Sequence, residues 1–121
     1  MDATTPTLFH NPSCSKSRQA KDVLEAAGVE YELVQYLKKP PTKAELERIV
    51  DLLDDEPGDL VRRQDPKFKA LDLDPKDYQD KGSVVALLVE HPELMERPVV
   101  VVGDRAVIGR PTERVQQLLM T

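Results

Sequence analysis

The sequence contains a single cysteine, Cys14, so no disulfide can form within the chain, and redox chemistry has one sulfur to work with. A lone thiol fits a reducing compartment, and the cytoplasm is the expected location. Histidine is nearly as scarce. His10 and His91 are the only two, and no cluster with metal-ligand spacing surrounds them, so no metal is expected. Long apolar runs are missing too: the longest compact one is Val99 to Val102, far short of the ~20 residues a membrane helix needs. Met1-Asp2-Ala3-Thr4-Thr5-Pro6 has no basic segment followed by an apolar stretch and reads as no secretory signal. Repeats and low-complexity segments are absent. The net charge of −5 argues against nucleic acid as the main ligand, because phosphate binding wants a basic field. A local group of arginines around a small anion stays compatible with it.

What remains is the composition of one soluble globular domain spanning residues 1–121, with 40% hydrophobic and 32% charged residues. Thr7-Leu8-Phe9-His10 is a short β-favourable run ending at the turn signal Asn11-Pro12. From Ser15, the spacing of Ala20, Val23, Leu24 and Ala27 predicts a helix that Gly28 stops. Tyr31 to Tyr36 predicts a second strand, completing a βαβ unit. Thr42 with Glu45 reads as a capping box, followed by Leu46, Ile49, Val50 and Leu53 at helical spacing. The charged, proline-bearing stretch from Asp54 to Lys81 predicts short helical pieces anchored by Leu60-Val61 and Phe68 to Leu71, and Val84, Leu87 and Leu88 predict one more helix. Val99 to Val102 and Ala106 to Ile108 form a hairpin around Gly103-Asp104, and Val115, Leu118 and Leu119 give a last helix its apolar face. The fold class is thus α/β, with a helical insert over about residues 42–92 between two halves of a sheet.

The chemistry concentrates in His10-Asn11-Pro12-Ser13-Cys14-Ser15-Lys16-Ser17-Arg18. This segment places Cys14 between a strand and the first turn of a helix, where free backbone N–H groups and the helix dipole favour thiolate over thiol. The same N–H groups suit an oxyanion. Lys16, Arg18 and a protonated His10 would add positive charge. A lone cysteine is more often a buried, inert small hydrophobe, but Ser13, Ser15, Lys16, Ser17 and Arg18 are a poor recipe for burial. His10 either simply closes its strand or tunes the thiolate. Arg62, Arg97 and Arg110 are further candidates, since a guanidinium offers a flat fork of donors to a tetrahedral oxyanion. Arg97 and Arg110 each precede a proline at a strand rim. Arg48, Arg63, Arg105 and Arg114 read as solvated surface.

The motif His10-Asn11-Pro12-x-Cys14-x-x-Ser17-Arg18 resembles the active-site motif of the glutaredoxin-coupled arsenate reductase family. Met95-Glu96-Arg97-Pro98-Val99-Val100-Val101 and Ile108-Gly109-Arg110-Pro111 resemble that family's later motifs, in its order, across Thr7 to Leu119. The resemblance implies a thioredoxin-like fold, a mixed four-stranded sheet flanked by helices with an inserted helical region. It implies Cys14 as nucleophile, His10 and Ser17 as supports of the thiolate, and Arg62, Arg97 and Arg110 as oxyanion binders. Arg63 stands one residue from Arg62 and could exchange with it. Arg97–Pro98 matches the position where such folds carry a cis-proline. The implied partners are arsenate as substrate, glutathione or another small thiol as co-substrate, and glutaredoxin, with no bound cofactor and a monomeric state. A general glutathione-dependent thiol reductase on the same fold is the alternative. A regulator like the Spx-type relatives would need a C-x-x-C switch, and Ser17 stands at its second position.

Overall fold

The computed structural model describes residues 5–120; Met1 to Thr4, most of the segment read as carrying no secretory signal, lie outside the described residues. Strand β1 (Thr7–His10) leads through a tight turn into helix α1 (Ser15–Ala26), and β2 (Glu32–Gln35) follows. Gly28 ends α1 at φ 70°, a left-handed conformation that an L side chain resists, and its N–H returns to the Glu25 carbonyl. Helices α2 (Lys43–Leu52), α3 (Pro66–Ala70) and α4 (Lys81–Glu90), linked by 3₁₀ turns, fill the chain up to Leu94. The chain then enters β3 (Val99–Val102), β4 (Arg105–Ile108) and α5 (Glu113–Leu119).

The sheet order is β2-β1-β3-β4, with β1 parallel to β2 and antiparallel to β3, and β3 antiparallel to β4. Gly103, at φ 59°, takes the first central position of the two-residue β3–β4 connection, where a type II′ turn calls for glycine. Strand alternation divides the core. Leu8, Val100 and Val107, in register across three strands, pack with Ala20 and Leu24 of α1 and Val115 and Leu118 of α5. Phe9, Val99 and Ile108, one residue along in each strand, face the insert and meet Ile49, Leu60, Phe68 and Leu88. The fold is thus the expected mixed four-stranded sheet with flanking helices, and it matches the thioredoxin-like fold of the structural relatives described below.

Local expectations hold in most places. Thr42 and Glu45 form the reciprocal capping box, a feature worth about 1 kcal/mol to a helix start. Strand β2 is shorter than Tyr31–Tyr36, and Tyr36 leaves it to become fully buried. Ala27 and Leu71, counted as apolar anchors by spacing, are exposed because each lies past the last turn of its helix.

The peptide bonds Arg97–Pro98 and Arg110–Pro111 are both cis. The second was not anticipated from the sequence. Gly109 lies between them in space: a side chain there would come within 2.8 Å of the Pro98 ring and 2.9 Å of Val115. Glycine therefore lets the end of β4 sit against the start of β3, which brings Arg110 beside Arg97.

Candidate functional site

The β1–α1 turn is built by its own side chains. The Cys14 N–H donates to the Asn11 carbonyl (3.0 Å), and the Ser13 N–H donates to Asn11 Oδ1 (2.9 Å). The Asn11 N–H donates to Ser17 Oγ (3.3 Å), and Arg18 donates to the Pro12 carbonyl (2.8 Å). Cys14 is the N-cap of α1, in extended conformation, and its side chain caps no backbone group. That leaves the sulfur over the first-turn N–H groups.

Cys14 is 8% exposed, so the expectation of a poorly buried residue is corrected. Arginines cover it instead of apolar packing, and it belongs to neither core cluster. Arg110 Nη2 lies 3.6 Å from Sγ, and Arg97 hydrogen-bonds the sulfur with its side chain. Burial alone would push the thiol up. The Ser17 N–H, the Arg97 hydrogen bond, the Lys16 N–H and the Arg97 charge outweigh it and bring Cys14 from 9.0 down to about 7.

The positive charge thus comes from a different source than the sequence suggested. Lys16 acts through its backbone, and Arg18 is engaged with the turn. His10 is 4% exposed, and its pKa is lowered by burial and then by Lys21 and Arg18, which disfavours the imidazolium. Its Nδ1 makes no hydrogen bond. Ser17, fully buried, spends its hydroxyl on the Asn11 N–H and offers the sulfur its backbone N–H.

The arginines arrive from both halves of the fold. Val61 bridges Met95 in antiparallel fashion, with Arg62 N–H on the Leu94 carbonyl (2.8 Å) and Glu96 N–H on the Leu60 carbonyl (2.6 Å). This short pairing sets Arg62, not Arg63, beside Glu96; Arg63 turns to Asp59 at 3.5 Å. Arg62 pairs with Asp65, and its Nε is 3.9 Å from Glu96 Oε1. Arg110 Nε donates to the Arg97 carbonyl (2.7 Å) and lies 3.4 Å from the same Glu96 oxygen. An open cleft of about 540 Å³, lined in part by Arg62, Arg63, Asp65, Glu96 and Arg110, continues outward from there. Arg110 is the residue that spans cleft and sulfur. The other arginines read as solvated each have a partner: Arg48 donates to the Gly103 carbonyl, Arg105 meets Asp54, and Arg114 grips both oxygens of Asp55.

The family model described as ArsC matches residues 9–118. The chain belongs to the ArsC family. It is 38% identical to a Neisseria meningitidis protein named arsenate reductase, over 93% of this chain and 96% of the relative. It is 37% identical to the Escherichia coli K12 protein YfgD, described as uncharacterized, over 93% and 94%. Among solved structures, that titled arsenate reductase from Vibrio cholerae superposes with a TM-score of 0.84 at 35% identity, covering 96% of this chain and 98% of that one.

Within this ArsC chain, two residues of the candidate site were not singled out from the sequence. Glu96 appeared only as a letter of a motif; its place directly before Arg97 was the available signal. Tyr36 appeared only as a strand residue. It is fully buried with its hydroxyl facing Asn11 and Arg97 but without a well-formed hydrogen bond, and burial pushes its pKa up against the pull of Arg97 and Asn11. Arg97 Nε is likewise buried without an acceptor. Among the described residues no group of three or more His, Cys, Asp and Glu side chains could hold a metal, and no helix is long and apolar enough to cross a membrane.

Proposed function

We propose that this protein is an arsenate reductase working through Cys14 as its single nucleophile. The observation that carries the reading is the arginine-covered thiol: Cys14, with a pKa of about 7, under Arg97 and within 3.6 Å of Arg110. Membership of a family whose relatives bear that name supports it. In the first step the thiolate attacks arsenic of an arsenate held by Arg62, Arg97 and Arg110. An S–As bond forms and an arsenic oxygen, protonated, leaves as water or hydroxide. Glutathione thiolate then attacks Cys14 Sγ. The S–As electron pair stays on arsenic, which departs as arsenite, and the two sulfurs are left as a mixed disulfide. Glutaredoxin reduces that disulfide and restores the Cys14 thiol. The external thiol is required because the chain carries no second sulfhydryl.

Cys14 and Arg97 do the covalent and charge-stabilising work. Ser17 and Lys16 hold the thiolate through backbone N–H groups, and His10 supports the turn as a neutral ring. We place the protein in the cytoplasm, acting as a single-domain monomer without a bound cofactor or metal. The test is arsenate-dependent NADPH oxidation with glutathione, glutathione reductase and glutaredoxin. Turnover that needs all components and disappears in Cys14→Ser is the expected result; turnover without glutathione would overturn the resolving step. A second reading, a general glutathione-dependent thiol reductase, draws on one observation: Arg62 and Arg110 are already paired with acidic side chains. It predicts thiol–disulfide turnover insensitive to replacement of those arginines.

A further inference from the structure

One carboxylate oxygen in this site is surrounded as an oxyanion's oxygen would be. Glu96 Oε1 accepts the Arg97 backbone N–H at 3.1 Å and lies 3.4 Å from Arg110 Nε and 3.9 Å from Arg62 Nε. Its side chain is 24% exposed, on the wall of the cleft that Arg62 and Arg110 also line. Holding those guanidinium groups in place does not need it. Arg110 Nε is anchored on the Arg97 carbonyl at 2.7 Å, and Arg62 is anchored on Asp65. Glu96 itself is fixed from behind by the backbone pairing of its N–H with Leu60.

We infer that Glu96 is a specificity-determining residue whose carboxylate competes with an incoming oxyanion for Arg62 and Arg110. The inference rests on the reading of this site as an oxyanion site and adds the charge selection it makes. Three guanidinium groups face two carboxylates, Asp65 and Glu96, and the Cys14 thiolate, so the charges cancel. A doubly charged oxyanion gains little net attraction from such a site, and a like charge beside it weakens its hold. Removing the Glu96 charge leaves one positive charge over beside Arg62 and Arg110.

The experiment measures protection of Cys14 from iodoacetamide at pH 8 by arsenate, by sulfate as an unreactive dianion, and by nitrate as a monoanion. The parent, Glu96→Gln and the charge-retaining Glu96→Asp are compared. The expected result is that Glu96→Gln reaches half-protection at about ten-fold lower arsenate and sulfate, a difference of about 1.4 kcal/mol. Nitrate should shift much less, and Glu96→Asp should stay near the parent. Weaker protection of Glu96→Gln by the dianions would overturn the inference and make Glu96 a positioning residue for the arginines. Protection of neither protein by any anion would overturn it together with the oxyanion reading. Protection of the parent with no gain in Glu96→Gln would remove the inference alone.

Discussion

The two ends of the site differ in how their charges are arranged. At the sulfur, burial pushes the thiol up, but backbone N–H groups and Arg97 converge on it, outweigh burial and lower its pKa to about 7. At the cleft, Arg62 and Arg110 are partly exposed and paired with Asp65 and Glu96. The thiolate proposed as nucleophile is therefore favoured by the fold itself, while the proposed anion-binding end is held in balance by opposite charges. In the proposed reaction, electrostatic preorganisation is complete where the S–As bond would form and offset where the oxyanion would arrive. Arg110 belongs to both ends, donating to the Arg97 carbonyl with Nε while Nη2 reaches the sulfur.

The sharpest break between the ends is Cys14→Ser. A hydroxyl of similar size is far less nucleophilic at neutral pH, so alkylation and arsenate turnover should vanish. Because Cys14 packs in neither apolar cluster, the fold should survive, with a stability change under about 1 kcal/mol by urea denaturation. Residual turnover in this variant would mean that the sulfur end is not the reacting end.

Arg97 and Arg110 separate the two ends by degree. Each removed guanidinium takes away charge-assisted donors worth roughly 1.5–3 kcal/mol, so arsenate kcat/KM should fall about 10- to 100-fold in Arg97→Ala and in Arg110→Ala. Their pH profiles should differ. Iodoacetamide alkylation of the parent should rise with pH and be half-maximal near 7, following the thiolate. Arg97 lowers the Cys14 pKa, so its removal raises the midpoint and slows alkylation at neutral pH. Arg110→Ala should move the midpoint less, because Arg97 and the two N–H groups remain. Identical midpoints in both variants would erase the distinction between the ends.

The sequence made the sulfur end legible because it is local. A strand, a turn and a helix start lie within Thr7 to Arg18, and hydrophobic periodicity with turn chemistry locates them. The strand alternation of Leu8 and Phe9 likewise separates the two core faces. The cleft end is non-local. It depends on Val61 bridging Met95 and on Gly109 approaching Pro98, contacts that bring together residues 34 or 11 positions apart with no periodic signal. The source of charge at Cys14 was misread for the same reason: Lys16 and Arg18 are near in sequence, whereas Arg97 is near in space.

Gly109→Ala tests how the cleft end is held. Its added methyl would meet Pro98 and Val115 at under 3.0 Å, which forces the end of β4 to move. Overpacking of this kind costs typically ~1–3 kcal/mol, to be read from denaturant midpoints. The displacement falls next to Arg110, so anion protection of Cys14 should weaken while the alkylation midpoint stays near the parent's. A midpoint shift as large as in Arg97→Ala would show the two ends mechanically coupled.

The smallest effect is expected at Tyr36, which lies where the ends meet. Its hydroxyl is fully buried beside Asn11 and Arg97, without a well-formed hydrogen bond among the described residues. Burying such a group unpaired costs about 1–3 kcal/mol, and removing it relieves that cost while leaving a small void. The two terms oppose, so Tyr36→Phe should unfold within about 1 kcal/mol of the parent, with a stabilising sign, and keep its Cys14 alkylation midpoint. Arg97 Nε, buried and unpaired nearby, makes the hydroxyl a neighbour of the arginine fork that the proposed arsenate would occupy. Half-protection of Tyr36→Phe by arsenate should therefore need a few-fold more anion, through the loss of a polar group beside the arginine fork. A destabilisation above 1 kcal/mol with unchanged protection would assign Tyr36 to the core, and the boundary between the two ends would then run through Arg97 alone.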